Sequence, residues 1–365
     1  MVNSSTTNQA SNEQPIRLGI WGLRNSGKTV YMTMLYHYLS QGGSPWRIVT
    51  DDEDTEKFVN DNLSLIIDQG NFCEATIESL PQKIYSYKLI NDQIGKIVEL
   101  TFFDLSGEIY KNPLTEKIEV KGDTLLLIEH LNQCHGILFL ISPLEEDSPK
   151  NEGGSYFTFL GNLFRSMQRF RDGQTERKLE PYIVFCITKI DHPEVYKKAL
   201  GRKAEDWLLK LLGPTVELTW IANFFHAKID TDSKNSKNQT FSPDPGELNR
   251  CRVMPISCFG VDNLGNSPIY EEKKEVSTEA ESRGGGAQSS DPIFQINKPD
   301  FDSDYDQTVS SKGVFNQDQS KKRVKDYKID VQKGFYPMNM LSPIEWMLKG
   351  IEKYYPKVTP LKSKE

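Results

Sequence analysis

A doubly wound α/β fold, with a mainly parallel sheet and helices on both faces, is predicted by three observations. Short apolar runs alternate with helix-length amphipathic stretches from Ile16 to Ile256. The first run passes straight into a glycine-bearing turn and a helix, Gly22-Leu23-Arg24-Asn25-Ser26-Gly27-Lys28-Thr29. Two later apolar runs close on a carboxylate, at Asp104 and at Asp191.

The elements follow in order. Residues 1–15, rich in Ser, Thr, Asn and Gln, carry too little apolar surface to offset ordering entropy and are expected to be a disordered tail. Ile16 to Trp21 reads as a strand and Lys28 to Leu39 as a helix. Lys83 to Ile90 and Ile97 to Phe103 read as two strands around the turn signal Asn91-Asp92. A helix near Thr124 to Leu131, a strand at Gly136 to Ser142 and a helix at Tyr156 to Phe170 come next. The strand Tyr182 to Ile187, a helical stretch from Val195 to Leu212 and the strand Arg252 to Ile256 complete the series. A last amphipathic helix, Pro343 to Tyr355, opens with proline in its first turn after Ser342 as its cap.

Length and composition set limits. A chain of 365 residues with 37% hydrophobic residues can bury one large core or two small ones, but the polar stretches Asp230 to Glu247 and Asn263 to Val324 read as loops inserted into a single domain. The expected division is a tail at 1–15, the main folded domain at 16–260 and a largely disordered, low-complexity insertion at 261–335. A helix at 336–357 completes the domain, and 358–365 form a second tail. The net charge of −7 argues against a bulk electrostatic hold on nucleic acid. Five cysteines without a C-x-x-C pair suggest neither a disulfide framework nor a zinc site. With no apolar run of membrane-spanning length and no signal-like start, the cytoplasm is the expected compartment.

Four short segments carry the chemistry. Residues 22–29 fit G-x-x-x-x-G-K-[ST] between a strand and a helix, the P-loop pattern. Its N–H groups, from Gly22, Leu23, Arg24, Asn25, Ser26 and Gly27 into Lys28, Thr29 and Val30, can surround phosphates at a positive helix end. Lys28 would reach the β and γ phosphates, and Thr29 would bind Mg²⁺. In Phe103-Asp104-Leu105-Ser106-Gly107-Glu108, Asp104 would hold Mg²⁺ through water, and Gly107 lets the backbone approach the γ-phosphate. In Thr188-Lys189-Ile190-Asp191 the carboxylate can accept from guanine's ring N–H and amino group, while the Lys189 stem lies over the base. The turn Ser257-Cys258-Phe259-Gly260 can offer backbone N–H to the guanine oxygen.

Taken together and in this order, GLRNSGKT, DLSGE, TKID and SCFG resemble the phosphate, Mg²⁺-and-switch, base-reading and base-supporting motifs of the TRAFAC class of P-loop GTPases, small-GTPase-like and similar to the bacterial double-GTPase-like proteins. The resemblance implies GTP or GDP with Mg²⁺, hydrolysis of GTP to GDP and phosphate, and two switch segments that order around the γ-phosphate. The leading expectation is a GTP-driven switch that hydrolyses slowly and recruits an effector protein in one nucleotide state. Three departures stand out. Thr188 replaces the usual Asn, removing an amide that ties the base loop to the phosphate loop. Glu108 stands where many members place a water-orienting Gln. The threonine closing over Mg²⁺ has no fixed motif: Thr76 is the choice, with Thr50 and Thr55 as competitors. Asn25 matches the asparagine of the monovalent-cation-dependent members, which raises the expectation of K⁺ dependence, with Arg24 as a competing charge. The alternatives are a scaffold that holds nucleotide without turnover, and a P-loop ATPase or kinase.

Overall fold

The computed structural model describes residues 15–23, 25–50, 52–73, 83–104, 123–144, 156–172, 180–199, 203, 206–208, 210, 224, 228–230, 240–242, 250–262, 264, 266–271 and 327–354. The elements are β1 (Ile16–Gly22), α1 (Lys28–Ser40), β2 (Trp46–Thr50), α2 (Glu53–Leu63), β3 (Lys83–Asn91), β4 (Lys96–Asp104), α3 (Asp123–Gln133), β5 (Gly136–Ile141) and α4 (Tyr156–Asp172). They continue with β6 (Tyr182–Ile187), α5 (Pro193–Ala199), β7 (Lys228–Asp230), β8 (Thr240–Ser242), β9 (Cys251–Pro255), β10 (Ile269–Glu271), β11 (Tyr327–Ile329) and α6 (Ser342–Tyr354).

Seven of the strands form one sheet in the order β2-β3-β4-β1-β5-β6-β9. The run β4-β1-β5-β6-β9 is parallel, whereas β2-β3 and β3-β4 are antiparallel. This is the mainly parallel, doubly wound sheet that the alternation of elements predicts. Burial on both faces explains its central strands. In β5 every residue of Gly-Ile-Leu-Phe-Leu-Ile is buried, and so is every residue of β6. Successive side chains point to opposite faces. Leu138, Leu140, Val184 and Cys186 join the core beneath α1 and α6. Ile137, Phe139, Ile141, Ile183, Phe185 and Ile187 join the core beneath α3 and α4. Each such side chain contributes roughly 1.5–3 kcal/mol by burial. No helix among the described residues is long and apolar enough to cross a membrane.

Helix α1 is buried on most sides, including Tyr31, Met32, Thr33, Met34 and Leu35, because it lies against β1 and β2 and is flanked by α2. Helix α6 packs on β5 and β6 through Ile344, Met347 and Ile351. It starts at Ser342, one residue before the predicted Pro343, so Ser342 is its first residue rather than its cap.

Three parts differ from the sequence reading. The chain between α1 and β3, where no element is predicted, contains β2, α2 and a π-helical turn at Ser64–Asp68. Helix α2 is mostly polar, and its inner face is narrow: Thr55 and Val59 are buried, while Phe58 and Leu63 pack against the core only in part. Helix α5 begins at Pro193 and ends at Ala199, short of the predicted Leu212; helical residues recur at 206–208. Finally, β10 pairs with β11, so residues 327–329, near the end of the insertion expected to be largely disordered, are paired backbone. The centre of that stretch, with the rest of the second unit Glu271–Asp326 beyond Glu271, lies outside the described residues.

Candidate functional site: phosphate loop and base loop

The phosphate loop joins β1 to α1. Asn25 and Gly27 adopt left-handed backbone, with φ of 59° and 86°, and Ser26 N–H donates to Leu23 O at 3.1 Å. Asparagine and glycine are the residues that take this conformation at least cost, which explains both letters of N-S-G. Gly22 has no room for a side chain: a Cβ there would lie 2.4 Å from both Leu140 O and Ser26 Oγ. Ser26 is fully buried, and its Oγ has no hydrogen-bond partner among the described residues. Lys28, only 9% exposed, donates from Nζ to Gly22 O and Leu23 O, each at 2.9 Å. The cation is therefore anchored at the first turn of α1, next to the loop's own N–H groups. A curled loop, a helix N-terminus and a fixed ammonium make up a chemistry suited to phosphate oxygens.

The base-reading residues follow β6. Thr188 N–H donates to Ile141 O at 2.9 Å, and Lys189 takes a left-handed φ of 57°. The Thr188 hydroxyl lies 2.9 Å from Ser26 O and 3.1 Å from Ile141 O. This corrects the expectation that replacing Asn by Thr unties the two loops. The shorter side chain reaches the phosphate-loop backbone directly, its hydroxyl donating to the Ser26 carbonyl. Thr188→Val removes the donor while keeping the shape, and leaves the buried Ser26 and Ile141 carbonyls without it. Nucleotide affinity measured by calorimetry is expected to fall about tenfold, with Thr188→Ser close to the unmodified protein. Equal affinity for Thr188→Val would deny the tie any part in binding.

Asp191 is 3% exposed. Its Oδ2 accepts from Phe259 N–H at 2.8 Å and from Gly260 N–H at 3.3 Å. Burial raises its pKa above the usual carboxylate value, and the bonds from Phe259, Ser257 and Gly260 partly offset this. Asp191 thus shapes the Ser257–Gly260 loop. Gly260 N–H also approaches Ser257 Oγ at 2.7 Å, and Ser257 N–H donates to Met338 O. Cys258 N–H makes no hydrogen bond among the described residues, whereas the N–H groups of Ser257, Phe259 and Gly260 all do. Burial, with Asp191 and Cys73 nearby, raises the pKa of the Cys258 thiol well above its ordinary value, which keeps it neutral.

For a metal, Thr29 is half-buried in the first turn of α1. Asp104 ends β4; since Ile20 pairs with Phe102, the register carried forward puts Asp104 level with Gly22. Thr29 and Asp104 are thus brought to the same end of the sheet. Thr55 is excluded as the closing threonine: its N–H and hydroxyl bond Asp52 at 2.7 and 2.6 Å at the start of α2, and it is buried. Thr50 is a paired residue of β2, opposite Tyr87. Thr76, Arg24, Gly107 and Glu108 lie outside the described residues.

Sequence reasoning missed one contributor, the stretch Tyr327–Leu341 that returns to the base loop. Met338 N–H and O pair with Ser257, and Tyr336 N–H donates to Phe259 O. The alternating Tyr327-Lys328-Ile329 and the cluster Phe335-Tyr336-Pro337-Met338 were the available signals.

Residues 19–179 match the Double-GTPase 1 family, a segment holding both the phosphate loop and DLSGE. The chain is of the P-loop GTPase type. The base-reading segment Thr188–Asp191 falls beyond the matched stretch. Solved structures similar to this GTPase include a bacterial selenocysteine-specific elongation factor, EF-Sec, at 15% identity, covering 67% of this chain and 26% of that one with a TM-score of 0.31. The S. cerevisiae Ski7 GTPase-like domain bound to GTP is 12% identical, covering 68% and 44%, with a TM-score of 0.37. The Arl6 BBS3 small GTPase from Trypanosoma brucei is 12% identical, covering 67% and 88%, with a TM-score of 0.30. The GTPase described here thus spans about a quarter of the first of these and under half of the second. No curated protein matches it.

Proposed function

We propose that the protein is a GTP-binding molecular switch that hydrolyses GTP slowly and recruits a protein partner in one nucleotide state. The observation that carries this reading is the Thr188–Ser26 bond, which makes the phosphate loop and the base-reading loop one site. Residues Gly22 to Val30 fit a bound triphosphate, because the left-handed turns at Asn25 and Gly27 and the anchored Lys28 already form a cation-bearing cradle. Asp191 and the Cys258 N–H supply an acceptor and a donor on the pattern of guanine's edge, which favours GTP over ATP. The Lys189 stem would cover the base.

Thr29 and Asp104 would hold Mg²⁺, with Thr76 as the closing ligand. The metal when bound neutralises charge between the β and γ phosphates. Lys28 would stabilise the same oxygens, Gly107 would let the backbone come close to them, and Glu108 would orient the attacking water. Asn25 is exposed at the loop's tip, where its amide oxygen could serve a K⁺ ion, with Arg24 as the competing charge. The cytoplasm is the compartment that fits this role.

A carboxylate at Glu108, where an amide orients water in many relatives of the class, favours a second reading, a scaffold that keeps nucleotide bound without turning it over. Burst and steady-state hydrolysis of GTP and ATP, in K⁺ and in Na⁺ buffers of equal ionic strength, separates the two. Slow multiple turnover confined to GTP is expected. Tight binding with no phosphate released in either salt would replace the switch by the scaffold.

A further inference from the structure

We propose that the return segment Tyr327–Leu341 is a clasp that sets guanine affinity by holding the Ser257–Gly260 loop in the shape that presents the Cys258 N–H; this inference rests on the guanine reading above. Nothing in the four motifs requires such a segment. The clasp meets the loop residue by residue. Ser257 and Met338 exchange both backbone bonds, Ser257 N–H to Met338 O and Met338 N–H to Ser257 O, each at 3.0 Å. Tyr336 N–H donates to Phe259 O at 2.8 Å. Between them the rings of Phe259 and Phe335 lie 5.6 Å apart. Gly260, at φ 72°, sits so close beneath Tyr336 that a Cβ would come within 1.7 Å of its carbonyl oxygen.

The accounting of the loop's donors then gives the clasp its consequence. Ser257 N–H goes to Met338, while Phe259 and Gly260 N–H go to Asp191. With both sides occupied, the peptide between Ser257 and Phe259 is held by bonds on its flanks, and its own N–H is the donor that remains. The clasp therefore acts as a positioning element through Cys258.

Its two ends are fastened elsewhere. Met340 O accepts from the hydroxyl of Tyr31 at 2.7 Å, three residues after Lys28 in α1. At the other end Ile329 N–H donates to Gly70 O at 2.8 Å, and Lys328 Nζ bonds Asn71 Oδ1 at 2.6 Å. Tyr327 packs on His192, next to Asp191, with ring centroids 4.4 Å apart, and its hydroxyl donates to Glu194. One continuous strap is thus tied to the phosphate-loop helix, to the base loop and to the residues just after the π-helical turn.

The test uses the full chain and three diphosphates. GDP has both the 6-oxygen and the 2-amino group; IDP keeps the oxygen and lacks the amino group; 2-aminopurine riboside diphosphate keeps the amino group and lacks both the oxygen and the ring N–H beside it. Met338→Pro removes the N–H that bonds Ser257 O, and its neighbour Pro337 already suits the restricted backbone before a proline. Affinity for GDP and IDP is expected to fall about tenfold, the worth of one hydrogen bond to the base, with the 2-aminopurine nucleotide within twofold. Met338→Ala, which keeps the N–H, should leave all three unchanged.

Equal losses for all three nucleotides, or no loss for GDP, would overturn the clasp's role. If Met338→Pro does not fold, Tyr31→Phe loosens the far tie at constant shape, and the same selective order is expected at about threefold. An unmodified protein that binds GDP no better than the 2-aminopurine nucleotide or ADP would instead remove the guanine reading beneath the proposal.

Discussion

Lys28→Ala is expected to weaken GTP binding by on the order of 100-fold or more, since charged hydrogen bonds are worth about 1.5–3 kcal/mol each and the ammonium would be lost from both phosphate and loop. Lys28 Nζ is held by Gly22 O and Leu23 O, so the charge is fixed against the loop's own backbone. Removing it leaves those carbonyls without their cation and the helix dipole as the remaining positive contribution among the described residues. Lys28→Arg should rescue little, because a planar fork cannot occupy the compact position of an ammonium between two carbonyls. The fold should persist: α1 is fixed by Tyr31, Met32, Met34 and Leu35, all fully buried. Titration of a labelled GTP analogue, alongside thermal unfolding, separates the two effects. Affinity within a few-fold of the unmodified protein at equal stability would mean that residues 22–29 are not the phosphate site.

How far the sequence could be read depended on the physics of each segment. Ile16–Gly22, Gly136–Ile141 and Tyr182–Ile187 were legible because strands buried on both faces must be continuously apolar. The phosphate loop was legible because its backbone needs glycine and asparagine at fixed places. Thr188 was misjudged: a motif compares side-chain types, whereas the bond to Ser26 depends on a separation of loops that only the folded chain sets. The return segment was hidden for a related reason. Its bonds to Ser257 and Phe259 are backbone to backbone and leave no side-chain signature, and Tyr336 and Met338 point substantially to solvent. Helix α2 failed because its inner face, Phe58, Val59 and Leu63, is short among many charges, and Asp52 starts it by a cap.

Asp191→Asn is expected to abolish the preference for guanine, a loss of about 10- to 100-fold in GDP over ADP, because a bidentate contact of this kind is worth on the order of 1–3 kcal/mol. The substitution should not unfold the protein. An amide oxygen can still accept from Phe259 and Gly260 N–H, and the buried charge that raises the pKa of Asp191 is gone. Affinity and stability should therefore part ways, whereas Asp191→Ala, which leaves both N–H groups unpaired, should lower both. The raised pKa adds a test by pH. With the folded value above the ordinary 3.8, the native state holds the extra proton between the two values, so this group's contribution to stability falls as pH rises through that window. Guanine recognition has the opposite sign, since only the carboxylate accepts from both donors: GDP affinity should fall on acidification already above pH 3.8, with ADP affinity unaffected by this group. In Asp191→Asn the difference between the two nucleotides should be small at every pH. A GDP preference that survives Asp191→Asn, or one whose pH dependence is shared by ADP, would mean that the base is read elsewhere than at Asp191.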